Sequence, residues 1–251
     1  RWFDHWLKGV DNGVTREPKV RWYQMGAAGE TEAPGNLWRE ASDFPPPAEM
    51  RSLYLHSGGH LDEERPQETV SSTSYESDPL HPMSLPGTAF PGASDARAFE
   101  GQPGVRTFTT DPLQEPLAWI GRVEAELFLS STAKDTDVIV RVSDVYPDGR
   151  SILLIDYPQR VRYREGFERE VLMEPGKVYP VRFPVGWIGQ TFARGHRIRV
   201  TIASTGAPFY EPNPQTGEPL TLTFPKNAIA ATNTIHHSAE YASRIRVPTA
   251  K

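Results

Sequence analysis

In the α/β class of serine hydrolases the nucleophile sits on a sharp strand-to-helix turn, and the pentapeptide that builds this turn, Gly-x-Ser-x-Gly, does not occur in the 251 residues. The nearest string, Ser57-Gly58-Gly59-His60, lacks the leading glycine and any helical pattern after it, so it reads as a glycine-rich strand end. Asp135 and Asp137, with Asp144 and Asp148 close behind, could offer oxygens to a hard cation, but their setting in alternating sequence assigns them to turns and strand edges. His236 and His237 are adjacent; in a strand they point to opposite faces and do not easily share one ion. Trp187, Phe209 and Tyr210, the last two in the loop PFYEPNPQTGE (208–218), could stack a sugar ring, although packing of turns is the plainer use of such rings. Arg160, Arg162, Arg164 and Arg169 are interleaved with Glu165, Glu168 and Glu170, as on a solvated strand face. There is no Walker loop, no Gly-x-Gly-x-x-Gly and no His-Glu-x-x-His. No catalytic, cofactor-binding or metal-ligating residue is therefore assigned to the chain.

The elements that carry these residues read as β structure. With 24 prolines and 20 glycines the chain is rich in turns and poor in long helices. PKVRWYQMG (18–26) reads as a strand, LWREASDFPPP (37–47) as an irregular crossing and RSLYLHSGG (51–59) as a second short strand. Residues 59–104 are polar, proline-rich and without periodicity; Tyr75, Leu80, Met83, Leu85 and Phe90 are spread through them and argue for docking on another surface. Alternation then becomes strong. Over 119–129, Trp119, Val123, Ala125, Leu127 and Leu129 share one side, with Arg122, Glu124 and Glu126 on the other. Two β-branched runs flank Pro147-Asp148-Gly149 as a hairpin, and 177–185, 197–204 and 220–224 repeat the period of two. Eight to ten strands at this spacing predict a mainly β fold, an antiparallel sandwich or jelly roll.

The opening RWFDHWLKGVDNG (1–13) differs from the rest. On a helix advancing about 100° per residue, Trp2, Phe3, Trp6, Leu7 and Val10 form one face, Asp4 and Lys8 can pair, and Gly9 suits the left-handed residue past a helix end. Two helical turns are marginal alone in water, so a partner surface is expected. A net charge of −5 offers no broad basic surface for nucleic acid or an anionic membrane, and no apolar run reaches membrane-spanning length. With no cysteine, the redox compartment stays open.

RWFDHWLKGVDNG, LWREASDFP, LYLHSGGHL, TSYESDPLHPM, the stretch from Gly104 through RSILL, GHRIRVTIAS and the closing NTIHHSAEYASRIRVP together resemble the C-terminal part of the Xaa-Pro dipeptidyl-peptidase and cocaine esterase family of serine hydrolases, which includes α-amino-acid ester hydrolases and glutaryl acylases. The resemblance covers nearly the whole chain. It implies a jelly-roll sandwich similar to galactose-binding domains over residues 18–251, including the long irregular segment 59–104, and it makes residues 1–17 the last helix and linker of an α/β-hydrolase domain. That catalytic domain is the implied partner, reached through Trp2, Phe3, Trp6 and Leu7; homo-oligomer contacts are a second implied role. The Ser-Asp-His triad of such enzymes would precede Arg1, so the chain alone is expected to be inactive, and no cofactor is implied. Phe44 stands where the family often has tryptophan, and TGAPFYEPNPQTGE replaces a more usual start of its loop. Peptide, ester and β-lactam substrates of the parent enzyme remain open. An independent carbohydrate-binding module, supported by fold analogy alone, is the competing reading, and self-association through the aromatic helix is a third.

Overall fold

In a computed structural model, residues 1–85, 94–219 and 227–250 are described. The chain opens with helix α1 (Trp2–Lys8) and then the hairpin of β1 (Val20–Gln24) and β2 (Leu37–Ala41). The strands β3 (Ala48–Leu55), β4 (Leu61–Asp62) and β5 (Ser72–Ser77) follow, then helix α2 (Arg97–Glu100) and β6 (Arg106–Thr109). Seven further strands follow: β7 (Leu117–Ser131), β8 (Asp137–Val145), β9 (Ser151–Arg160), β10 (Tyr179–Phe192), β11 (Arg197–Ala203), β12 (Ala231–His236) and β13 (Arg244–Ala250).

Apart from the β1–β2 hairpin, which is a sheet of its own, the strands form two layers. The larger sheet runs β4-β3-β13-β7-β12-β5, with β10 lying along β7 from Tyr179 opposite Leu129 to Phe192 opposite Leu117. β13 and β12 share the other side of β7 in tandem. The smaller sheet runs β6-β11-β8-β9. Every strand pairing among the described residues is antiparallel, which makes the molecule an antiparallel β-sandwich. Its core is where the alternating positions meet: Trp119, Val123, Ala125, Leu127 and Leu129 from β7 pack with Val138, Val140 and Val142 of β8 and Ile198, Val200 and Ile202 of β11. Period-two sequence puts every second residue on the same face, and only one face of β7 is covered.

Several expectations need correction. Leu37–Ala41 is a strand and not an irregular crossing: β1 supplies its hydrogen-bonding partner along five residue pairs. Segment 59–104 is not structureless, since β5 pairs with β12 and α2 lies against the smaller sheet. Tyr75, Phe99 and Leu85 are buried, and Met83 packs beside Leu85. These side chains dock on the sandwich itself, while Leu80 is exposed. This strap explains why all nine residues of β8 are buried, because it covers the outer face of the sheet while the core covers the inner one. Under it lies Arg141, stacked on Phe99 with the guanidinium carbon 4.6 Å from the ring centre and with Nε and Nη1 lacking hydrogen-bond partners.

In the Arg160–Arg169 run, Arg169, Glu165, Glu168 and Glu170 are exposed as expected, but Arg160, Arg162 and Arg164 are not on a solvated strand face. Arg162 is buried; its Nε donates to Asp135 at 2.7 Å and its Nη1 to Glu170 and to the Glu218 carbonyl. Arg160 clamps Asp137 through two bonds of 3.0 Å, and Asn213 donates to both carboxylates. Asp135, Asp137 and Asp144 are therefore buried and paired rather than exposed at turns, whereas Asp148 does sit in the hairpin turn on Arg150. The expected strand at 220–224 and Phe90 lie outside the described residues.

Candidate functional site

Two surfaces stand out, and the first is α1. Gly9 closes the helix with φ 69°, and Lys8 donates to Asp4 at 2.7 Å. The last turn is tied back by paired bonds, Asn12 Nδ2 to the Arg1 carbonyl and Arg1 Nη2 to the Asn12 carbonyl, each 2.7 Å. None of its seven residues is buried: Trp2 is 57%, Phe3 72%, Trp6 58% and Leu7 77% exposed. The two indoles touch at 5.7 Å between ring centres. The β1–β2 hairpin adds Tyr23 and Trp38, edge to face at 5.6 Å, with Arg21 over Trp38. The hairpin is fastened to the sandwich by backbone bonds between Met25 and β10, and by Gln24, which donates to the Trp119 carbonyl and to Thr191. Its tip is held by Tyr146, whose hydroxyl accepts the Ala28 N–H. Grouped exposed rings of this kind are the surface feature that marks interaction sites in general.

The second surface is the outer face of the larger sheet, where strand register writes charge into rows. One row crosses Tyr54, Arg244, Glu126 and Arg182: Arg182 and Arg244 each give Glu126 two hydrogen bonds, and Arg244 also reaches the Tyr54 hydroxyl. Burial pushes the Glu126 carboxyl up, but the two arginines outweigh it and hold it below the usual carboxylate range. In the next row Arg122 and Arg246 converge on opposite oxygens of Glu124. Beside that row a cleft of about 540 Å³ opens between Met50, Pro45–Pro47 and Trp187, and Phe44 stacks on Trp187 at 4.8 Å.

The other candidates are placed as follows. Ser57 lies in a 3-10 turn and donates to Glu68 at 3.0 Å, while His60 and His56 both approach Asp62. That pairing gives Ser57 no imidazole base. His236, the last residue of β12, shares a hydrogen bond with Ser130, and His237, just past the strand, is buried between Ser71 and Thr73, so the two rings have separate partners. Burial lowers both histidines. Trp187 faces Phe44, whereas Tyr210 donates to Asp156 and packs beside Met83 and Leu85. Trp187 and Tyr210 thus have different anchors. Not foreseen was the buried bond of 2.8 Å between His196 Nδ1 and Asp144, on whose far side Glu30 stands 3.5 Å from Nε2. Burial raises Asp144, partly offset by that histidine.

A family model described as the X-Pro dipeptidyl-peptidase C-terminal non-catalytic domain matches residues 12–246. The cocaine esterase of Rhodococcus sp. (strain MB1 Bresler) is 33% identical over 264 residues, covering 99% of this chain and 45% of the esterase. Among solved structures, an aminopeptidase from a marine sediment Thaumarchaeota archaeon superposes with a TM-score of 0.86 at 30% identity, covering 100% of this chain and 43% of that one. A structure titled α-amino acid ester hydrolase gives 0.78 at 28% identity, covering 86% of this chain and 39% of its own. The chain thus spans less than half the length of these relatives.

Proposed function

This chain belongs to the X-Pro dipeptidyl-peptidase C-terminal non-catalytic domain family, and on that premise we propose that it serves as the β-sandwich of a serine ester or amide hydrolase, buttressing an α/β-hydrolase domain and shaping the acyl or aminoacyl side of its cleft. The observation that carries the reading is the α1 face, with Trp2, Phe3, Trp6 and Leu7 more than half exposed on a helix too short to stand alone. A catalytic domain resting there removes those rings from water. In the joined enzyme, acyl transfer to a serine and then to water would use a nucleophile, base and oxyanion donors from the catalytic domain. The residues of this chain would supply binding surface and rigidity. In this reading residues 1–17 form the junction and 18–251 the sandwich proper.

The test is turnover. The isolated chain is expected to leave p-nitrophenyl esters and aminoacyl p-nitroanilides untouched. Activity that co-purifies with the chain through successive columns would overturn the assignment.

A further inference from the structure

We infer that the cleft on the outer face of the larger sheet is a binding site for a small aromatic carboxylate. Its floor is Ile120 and Pro248, and Trp187, backed by Phe44, forms one wall opposite Met50. At about 540 Å³ it falls in the range of small-molecule sites, which are mostly apolar with a few convergent polar groups. Those polar groups are Arg122, Arg246 and Glu124.

The charge count chooses the ligand. Arg122 spends Nε and Nη2 on one Glu124 oxygen, and Arg246 gives Nη1 to the other. Two guanidiniums share one carboxylate, so one positive charge is in excess, and Glu124 is the sole acid lining the cleft among the described residues. Arg122 Nη1 and Arg246 Nε and Nη2 have no hydrogen-bond partner among the described residues. Glu49 on β3 and Glu63 just past β4 are engaged with Arg51, which is one residue from Met50 along β3 and hence on the other face from the cleft. The neighbouring row cannot serve, because Arg244 is already used by both Glu126 and Tyr54. An incoming carboxylate thus meets guanidinium donors beside an indole face, Trp187 being the cross-strand partner of Arg122, and a flat ring bearing a carboxylate satisfies both. A neutral sugar would leave the surplus charge unanswered.

Calorimetric titration of the chain with 2-naphthoate tests this, beside the neutral isostere 2-naphthamide, acetate, and methyl β-galactoside. Naphthoate is expected to bind at least about tenfold more tightly than naphthamide, with no heat from acetate or the galactoside. Arg246→Gln and Arg122→Gln should each weaken naphthoate about tenfold, and Arg246→Lys should recover part of the loss. Trp187→Ala should weaken naphthoate and naphthamide alike. Arg182→Gln, in the neighbouring row, should change nothing. Circular dichroism confirms that each variant, altered at a partly exposed position, is folded. Equal affinity for naphthoate and naphthamide, indifference to both Gln variants, a loss with Arg182→Gln equal to that with Arg246→Gln, or binding of the galactoside instead would overturn the assignment.

Discussion

Two buried arginines should respond very differently to the same substitution. Arg162, 1% exposed, gives Asp135 a 2.7 Å bond, and its backbone N–H gives a second at 2.9 Å. Asp135 itself has no exposure, so Arg162→Met strands a carboxylate in the interior with Asn213 as its remaining side-chain donor. Breaking such a pair costs about 3–5 kcal/mol. For a domain of this size that is a fall in Tm of roughly 6–20 °C. Arg141 is 5% exposed, yet Nε and Nη1 lack hydrogen-bond partners and the Asp156 carboxylate lies 3.6 Å away. Asp156 keeps the Tyr210 hydroxyl at 2.8 Å when the guanidinium is gone. Arg141→Met therefore removes a desolvation only partly offset by Asp156, retains contact with Phe99, and should change stability by no more than about 1 kcal/mol in either direction. Urea unfolding followed by circular dichroism, with the slope unchanged, separates the two. Equal losses, or a larger loss for Arg141→Met, would refute the view that satisfied hydrogen bonding, and not burial, decides the cost.

Trp2→Ser together with Trp6→Ser should leave the unfolding free energy of the isolated chain within about 0.5 kcal/mol, since both rings are exposed; a larger loss in urea melts would show that the face packs within the chain. Gly121 adopts φ +136°, and a Cβ there would stand 3.0 Å from Pro248 Cβ, so Gly121→Val should cost about 1–3 kcal/mol by the same measurement. Glu126 has its pKa lowered in the folded state; its contribution is present above the ordinary carboxylate range and lost as pH falls through that range. Glu126→Gln should consequently flatten the decline in stability between about pH 5 and 3, and an unchanged acid profile would contradict the pairing with Arg182 and Arg244.

Local signals carried much of the fold. The α1 stripe, the left-handed Gly9, the Pro147-Asp148-Gly149 hairpin and the in-and-out pattern of β7 all rest on neighbours within a few residues, and each was legible. β5 was not, because SSTSYES offers one large apolar residue, Tyr75, and owes its strand to pairing with β12 about 160 residues later. β2 depends similarly on β1. The misread arginines have the same cause: a run of charge looks solvated until Asp135, 27 residues before Arg162, is placed beside it. Asp144 and His196 lie 52 apart, and Glu124 and Arg246 lie 122 apart, so neither the buried dyad nor the cleft's cationic rim has a signature in spacing. The aromatic face of α1 was legible as an unpartnered stripe because helical period alone defines it.

The central claim is that this face rests on a catalytic domain. Hydroxyl-radical footprinting read by mass spectrometry would compare oxidation of Trp2, Phe3 and Trp6 in the isolated chain with the same residues in a polypeptide joining it to an α/β-hydrolase domain. Docking predicts that oxidation at all three falls by about tenfold in the joined protein while Trp187 stays reactive, as burial of a once-exposed face requires. Equal oxidation of the three rings in both proteins would contradict it.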